Sequence, residues 1–152
     1  MSDEWDLRLG VDEQAEDVVT SRLVEHNTHE SPIVRERFVP ANLPSRPLAV
    51  YAWEGDRVVG GCTGSTEDLW RWFTVDTMWV DAGLRGRGLG AALLAQAEAE
   101  AVRRGCRWAK LNTWDFQAPV FYERCGYEEY GREVDYPPGH TNFLMRKTLR
   151  SP

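Results

Sequence analysis

The chain has 152 residues, of which 42% are hydrophobic and 28% charged, and its formal net charge is −6 at neutral pH. A chain of this length can bury roughly 68–70% of its unfolded surface in one core, so we expect a single domain over residues 1–152. The acidic balance disfavours non-specific binding to nucleic acid and favours neutral or cationic partners.

The cysteines and the N-terminus predict the compartment. Three cysteines at unrelated spacings make no CxxC pair and no zinc pattern with the three histidines, so we expect reduced thiols, no metal site and a cytoplasmic location. The acidic N-terminus has no apolar segment, so no signal peptide is expected. No apolar run approaches the roughly 20 residues that a transmembrane helix needs, so no membrane association is expected.

The first third of the chain predicts a strand, a helix and an irregular stretch. Residues 5–11 alternate between apolar and polar side chains, as a half-buried strand does. Asp12 is a candidate N-cap, and apolar residues at helical spacing predict a helix to about Asn27. Four prolines punctuate residues 28–47, where Ile33, Val34 and Phe38 could support a short helix turn. A long irregular stretch of this kind is often a binding loop or a lid.

The remaining two thirds predict strands and helices in alternation. In chain order we expect strands at 48–53 and 57–63 joined by a tight turn, a strand at 70–80, a helix at 88–104, a strand at 108–113, a short helix at 118–125, and strands at 127–134 and 140–148. The expected fold is therefore α+β, with a central mixed, mostly antiparallel sheet of about six to seven strands flanked by helices.

A glycine-rich turn precedes the predicted helix at 88–104. Its sequence is Arg85-Gly86-Arg87-Gly88-Leu89-Gly90. A helix N-terminus presents unpaired N–H groups and a partial positive charge, which suit a phosphate. Glycines let the backbone approach such a ligand closely, and the two arginines add charge-assisted hydrogen bonds. The turn therefore predicts a bound pyrophosphate.

A dinucleotide-binding domain is an alternative interpretation of this turn. Gly86-x-Gly88-x-x-Ala91 satisfies the loose form of the dinucleotide fingerprint. The acidic residue expected about 20 positions later is missing, and the strands before the turn are predicted as hairpins. A P-loop is excluded because the turn contains no Gly-Lys-Ser/Thr.

Two segments in this order resemble the GNAT superfamily of N-acetyltransferases. The family signature Arg/Gln-x-x-Gly-x-Gly/Ala corresponds to Arg85–Gly90, and residues 118–127 resemble the family's short helix that carries a tyrosine and ends in Gly-aromatic. The resemblance extends over about residues 48–149. It implies direct transfer of an acetyl group from acetyl-CoA to a primary amine of a small molecule.

The resemblance also implies which residues contact acetyl-CoA. Backbone N–H groups of the glycine-rich turn would bind the pyrophosphate, and main-chain groups of Met78 and Val80 would pair with the pantetheine amides like an added strand. The expected contacts are Met78, Trp79, Val80, Arg85, Gly86, Arg87, Gly88, Leu89, Gly90 and, at the start of the second segment, Asp115 or alternatively Asn112.

The implied catalytic residues are Tyr122 and Asp76. Tyr122 matches the position of the family's general acid, and its hydroxyl would protonate the departing thiolate. Asp76 shares strand parity with Met78 and Val80, so its carboxylate is expected on the face of the cofactor groove, where it would accept the amine proton. The alternative for Asp76 is a carboxylate bonded to neighbouring backbone.

The acceptor side is less defined by the sequence. His140, in a proline-rich turn between the last two predicted strands, is a candidate contact for the acceptor. Trp70, Trp72, Trp79 and Trp114 are candidates for an aromatic acceptor wall or for packing on the sheet. The acidity of the chain favours a small cationic amine, such as a polyamine, an aminoglycoside-like antibiotic or an amino-acid derivative. A protein N-terminus or a lysine side chain is the alternative acceptor.

Other functions remain open at this level. A non-catalytic CoA-binding or sensing module is the main alternative to the enzyme, followed by the dinucleotide-binding domain. A homodimer is possible for this class of protein.

Overall fold

The computed structural model describes residues 5–149. They form two compact units, one comprising residues up to Leu43 and the other the residues from Pro44 onward. The single domain over residues 1–152 stays a prediction.

The N-terminal unit is helical. Helix α1, Glu13–Glu30, begins at the predicted cap, where the Asp12 carboxylate accepts a hydrogen bond from the Ala15 N–H at 3.0 Å. Helix α2, Pro32–Arg37, begins at Ser31, and a short 3-10 helix follows at Pro40–Asn42. The short helix turn allowed at Ile33 and Val34 is present as α2, and the rest of this stretch is more regular than expected, because a proline in the first turn of a helix starts it rather than interrupts it.

Residues 5–11 do not form the predicted strand. An alternating segment becomes a strand only where another strand supplies hydrogen-bond partners. The unit that contains these residues consists of helices and offers no such partner.

The C-terminal unit is built on a six-stranded sheet with the strand order β1-β2-β3-β4-β6-β5. The strands are β1 Arg46–Glu54, β2 Arg57–Glu67, β3 Trp72–Val80, β4 Trp108–Trp114, β5 Glu128–Val134 and β6 Thr141–Thr148. Every neighbouring pair is antiparallel except β3 and β4, which are parallel. The predicted α+β class and mixed sheet flanked by helices are confirmed.

Two helices accompany this sheet, α3 Leu89–Arg103 and α4 Pro119–Arg124. One face of α3 packs on the core, and its buried residues are Leu93, Leu94, Ala97 and Ala101. They belong to one hydrophobic cluster with Phe73 of β3 and Met145 of β6, which fixes α3 on the sheet. Among the described residues no helix is long and apolar enough to cross a membrane.

The parallel pair β3–β4 is short. Only Trp72–Thr74 pairs with Trp108–Lys110, although both strands continue beyond these residues. Past this point the backbone edge of β3 has no strand on its β4 side, and the space between the two strands is a cleft.

β3 also contains a β-bulge. Thr63 of β2 pairs with Thr77, whereas the next residue, Gly64, pairs with Val75, so Asp76 is the extra residue. A Cβ on Gly64 would lie 1.9 Å from the Thr74 carbonyl oxygen, so only glycine fits opposite the bulge.

The bulge changes the side-chain alternation along β3. Val75 is buried before it, and Met78 and Val80 pack against the same core after it. The alternation from which Asp76 was placed on the groove face is therefore interrupted at Asp76 itself, although Asp76 lines the same cleft as Met78 and Val80.

Candidate active site

The cleft between β3 and β4 has a volume of about 980 Å³. It is lined by residues 75–80 of β3 and 111–113 of β4, together with residues of the glycine-rich turn, the loop before α4 and the second half of α4. Of the residues selected from the sequence, the cleft is lined by Asp76, Met78, Trp79, Val80, Arg85, Gly86, Gly88, Gly90, Asn112 and Tyr122.

The backbone of β3 faces this cleft at Val80. The Asp81 N–H donates a hydrogen bond to the Val59 carbonyl on β2 at 2.9 Å. The Val80 carbonyl belongs to the same peptide unit and points the opposite way, toward the cleft, and alternation along the strand puts the backbone groups of Met78 on that side too. The Arg85 Nε donates to the Val80 carbonyl at 3.0 Å. An extended ligand with amide groups fits such an edge, in place of a neighbouring strand.

Positive φ angles explain two of the glycines in the turn. Gly86 has φ 71° and Gly88 has φ 86°, which are left-handed conformations that residues with a Cβ rarely adopt. A Cβ on either residue would meet no atom within 4 Å, so space is not the reason for glycine at these two positions.

The N-terminus of α3 is left uncapped. Gly88 is the N-cap and no side chain makes a capping hydrogen bond. The first hydrogen bond of the helix runs from the Ala92 N–H to the Gly88 carbonyl at 3.0 Å, so the preceding N–H groups, from Leu89 to Ala91, have no partner within the helix. Uncapped donors together with the positive end of the helix dipole fit a phosphate.

The other members of the turn have different positions. A Cβ on Gly90 would lie 3.3 Å from the Phe121 ring, so glycine allows the start of α3 to approach α4 closely. Leu89 packs against the core, and neither Leu89 nor Arg87 lines the cleft. The side chain of Arg85, in contrast, lies in the cleft wall.

Tyr122 of α4 lines the cleft and is only 7% exposed. Its ring packs edge-on against Phe121 and Tyr127, with centroid distances of 5.0 and 5.9 Å. Burial, reinforced by the neighbouring thiols of Cys62 and Cys125, raises the pKa of Tyr122 to about 12. The hydroxyl is therefore protonated at neutral pH and able to donate a proton.

Asp76 of β3 lines the same cleft and is exposed. Its carboxylate makes no hydrogen bond or ion pair with another residue between 5 and 149, so the alternative of a carboxylate bonded to neighbouring backbone does not apply. A free carboxylate in a cleft wall is able to accept a proton from a bound amine.

Asp115 and His140, selected from the sequence for different ligands, contact each other. The Asp115 Oδ1 lies 3.0 Å from the His140 Nδ1, and its Oδ2 accepts a hydrogen bond from the Thr141 N–H at 3.0 Å. Partial burial acts to raise the pKa of Asp115, but the hydrogen bonds from Thr141 and His140 outweigh it and hold that pKa below its usual range. Neither residue lines the cleft, whereas Asn112, the alternative to Asp115, does.

Sequence reasoning missed some residues that line the cleft, namely Phe116, Gln117, Ala118 and Cys125. The first three belong to the loop between β4 and α4, which carries no pattern beyond its position between two predicted elements.

The four candidate tryptophans lie in different places. Trp79 lines the cleft, Trp72 stacks on Trp108 with ring centroids 5.5 Å apart, and Trp114 stacks on Phe116 with centroids 5.6 Å apart. Trp70 lies in the turn before β3, so the four do not form one wall.

Known proteins share both the sequence pattern and the fold. The family model described as "Acetyltransferase (GNAT) domain" matches residues 46–129. A blasticidin-S acetyltransferase of Streptomyces morookaense is 44% identical over 133 residues, which cover 84% of this chain and 96% of that protein.

Two solved structures extend the comparison. An acetyltransferase from Bacillus cereus superposes with a TM-score of 0.71 at 27% identity, covering 95% of this chain and 98% of that one. An aminoglycoside 6′-N-acetyltransferase complexed with coenzyme A has a TM-score of 0.60 at 19% identity, covering 78% and 79% of the two chains. At 19% identity, the aminoglycoside acetyltransferase structure shows a shared fold and nothing more.

Proposed function

Because this chain belongs to the GNAT acetyltransferase family and transfers an acetyl group from acetyl-CoA to an amine, we propose that its acceptor is a small amine antibiotic, with blasticidin S as the first candidate. The observation that carries the proposal is the 44% identity to a blasticidin-S acetyltransferase over 96% of that protein. The net charge of −6 supports a cationic acceptor, since an acidic protein attracts it.

The donor lies in the β3–β4 cleft in this proposal. The uncapped N–H groups of α3 and the Arg85 guanidinium bind the pyrophosphate, and the β3 edge at Met78 and Val80 binds the pantetheine amides. The Val80 carbonyl becomes available when Arg85 moves from it to the pyrophosphate. Arg87 and Leu89 contribute backbone groups only.

Transfer is direct. The amine nitrogen attacks the thioester carbonyl, the C–S bond breaks, and the products are an acetylated amine and CoA thiol. Asp76 takes the proton that the amine loses, and Tyr122 gives one to the departing sulfur; exchange with water restores both groups. Cys125 lines the cleft, but burial raises the pKa of its thiol, which keeps it protonated and argues against an acyl-cysteine intermediate.

An acceptor screen tests the proposal. Release of free CoA thiol from acetyl-CoA is measured with blasticidin S, nourseothricin, an aminoglycoside and spermidine, and mass spectrometry identifies the product. We expect the highest kcat/KM with blasticidin S, and reactions without amine give the background. Tight CoA binding with no turnover of any amine would overturn the proposal in favour of a CoA-binding or sensing module.

A cytoplasmic location and a homodimer belong to the same proposal. The three cysteines, Cys62, Cys106 and Cys125, are free thiols, which a reducing compartment maintains. The homodimer rests on the family resemblance, and sedimentation velocity would measure it.

A further inference from the structure

Three aromatic side chains meet at one end of the cleft. The rings of Trp114 and Phe116 stack with centroids 5.6 Å apart and an interplanar angle of 18°. The His140 ring meets Phe116 edge-on, at 4.7 Å and 75°. Phe116 lines the cleft, and 58% of its surface is exposed.

Hydrogen bonds hold this cluster in place. His140 pairs with the Asp115 carboxylate, which also accepts from the Thr141 N–H, and the Trp114 Nε1 donates to the Tyr136 carbonyl at 2.9 Å. These contacts join the β4–α4 loop to the turn between β5 and β6, because β4 and β6 are adjacent in the sheet. The Phe116 ring is thus oriented before any ligand binds, which lowers the entropy cost of binding.

The parallel register places the cluster at the donor end of the cleft. Trp72 pairs with Trp108 and Thr74 with Lys110, and Asp76 is one extra residue on β3, so continuing the register puts Trp114, the last residue of β4, about level with Trp79. The glycine-rich turn follows directly after Val80. Phe116 is therefore at the level of the pyrophosphate site, beyond the level of Asp76, where acetyl transfer takes place in the proposed function.

We propose that Phe116, held by Trp114 and His140, is the stacking surface for the adenine ring of acetyl-CoA. A planar heterocycle follows the pyrophosphate in this donor, and an exposed aromatic face in a fixed orientation binds such a ring by stacking. His140 and Asp115 are then positioning residues for the donor, and His140 is not a contact for the acceptor. This inference rests on the donor site of the proposed function and is independent of the acceptor.

Equilibrium binding tests the inference without any turnover. Calorimetry compares CoA with 4′-phosphopantetheine, which lacks the adenosine, on wild-type protein, Phe116→Ala and Phe116→Trp. Phe116→Ala is expected to weaken CoA binding about 5- to 150-fold, the range of base–aromatic stacking contacts. Binding of 4′-phosphopantetheine is expected to stay unchanged, and Phe116→Trp is expected to retain CoA affinity.

Two further variants separate stacking from general damage. Trp53→Ala removes an equally exposed aromatic ring from the edge strand β1 and is expected to leave both ligands unaffected. His140→Ala is expected to weaken CoA binding less than Phe116→Ala, and to add no loss to it in the double variant, because His140 acts through Phe116.

Two results would overturn the inference. One is an equal loss of affinity for both ligands, or none for CoA, in Phe116→Ala. The other is unchanged CoA affinity with a fall in kcat/KM for blasticidin S, which would assign Phe116 to the acceptor. Failure to acetylate blasticidin S would contradict the proposed acceptor and leave the binding comparison intact.

Discussion

Tyr122 and Asp76 illustrate how position in the cleft determines the chemistry of a side chain. Tyr122 is buried in an aromatic cluster, which disfavours its anion, while Asp76 is exposed on the bulge of β3. The cleft is thus lined by both a protonated hydroxyl and a carboxylate. A pair of titratable groups in such different environments is typical of acid and base roles.

Replacing Tyr122 with phenylalanine tests its role as acid. The variant keeps the ring that packs on Phe121 and Tyr127 and removes only the hydroxyl, so we expect kcat to fall by about 10²–10⁴-fold with little change in the KM for acetyl-CoA. Steady-state thiol release measures both constants. Tyr130→Phe, on the exposed edge strand β5, is the matched control. Unchanged kcat in Tyr122→Phe would contradict an acid role.

The pH dependence follows from the raised pKa of Tyr122. The protonated form is the active one, so the activity that depends on Tyr122 is lost as the pH rises through a pKa of about 12. No loss from this group is expected at neutral or mildly alkaline pH. A kcat profile that falls at mildly alkaline pH in wild type, but not in Tyr122→Phe, would show that its pKa is lower.

At the scale of elements, Lys147 connects α3, α4 and β6. Its Nζ lies 2.7 Å from the Glu98 Oε2 on α3, and the two side chains are only 24% and 12% exposed. Its aliphatic stem lies over Gly126, where a Cβ would come within 3.4 Å of the Lys147 Cε. Lys147, on β6, therefore contacts both α3 and the turn at Gly126 that ends α4.

Lys147→Met is expected to destabilise the fold by about 3–5 kcal/mol, because it leaves the buried Glu98 carboxylate without its counter-ion. Urea unfolding followed by circular dichroism measures the change. Adding Glu98→Gln removes the uncompensated charge and is expected to restore much of the loss. Arg132→Met breaks a more exposed pair with Glu129 and is expected to cost about 0–1 kcal/mol. Equal effects of Lys147→Met and Arg132→Met would contradict this.

At the scale of the whole molecule, the cleft arises from strand pairing. The parallel pair β3–β4 ends after three residues, and beyond them no strand in the described part of the chain pairs with the β4-side edge of β3. The backbone N–H and C=O groups along a sheet edge need hydrogen-bond partners. An extended ligand in this gap would supply them to β3, as a neighbouring strand does elsewhere in the sheet.

Ligand binding should therefore stabilise the whole molecule. CoA at about 100 times its Kd is expected to add about 2.7 kcal/mol, which corresponds to a rise in Tm of roughly 5–11 °C for a protein of this size. Thermal unfolding at increasing CoA concentration measures the shift. NAD at the same concentrations is the comparison, and an equal shift with NAD would support the dinucleotide-binding alternative.

The sequence by itself determined features that depend on neighbouring residues along the chain. The glycine-rich turn, the cap at Asp12, the stripe of α3 and the tyrosine of α4 all follow from local pattern and backbone preference, so their elements were predicted within a few residues. The order of strands and helices also fixed the fold class. By themselves these features predicted a bound pyrophosphate, and the resemblance to the GNAT superfamily that they carry predicted a CoA-dependent acetyltransferase.

Only the tertiary structure decided the features that depend on pairing between distant segments. The bulge at Asp76 is a matter of register between β2 and β3, and the contact between Asp115 and His140 exists because β4 and β6 are adjacent. Residues far apart in the chain meet through sheet hydrogen bonds and packing, which no local pattern records. For that reason ten of the 22 residues that line the cleft were selected from the sequence, whereas the orientation of these side chains and their partners were not predictable from it.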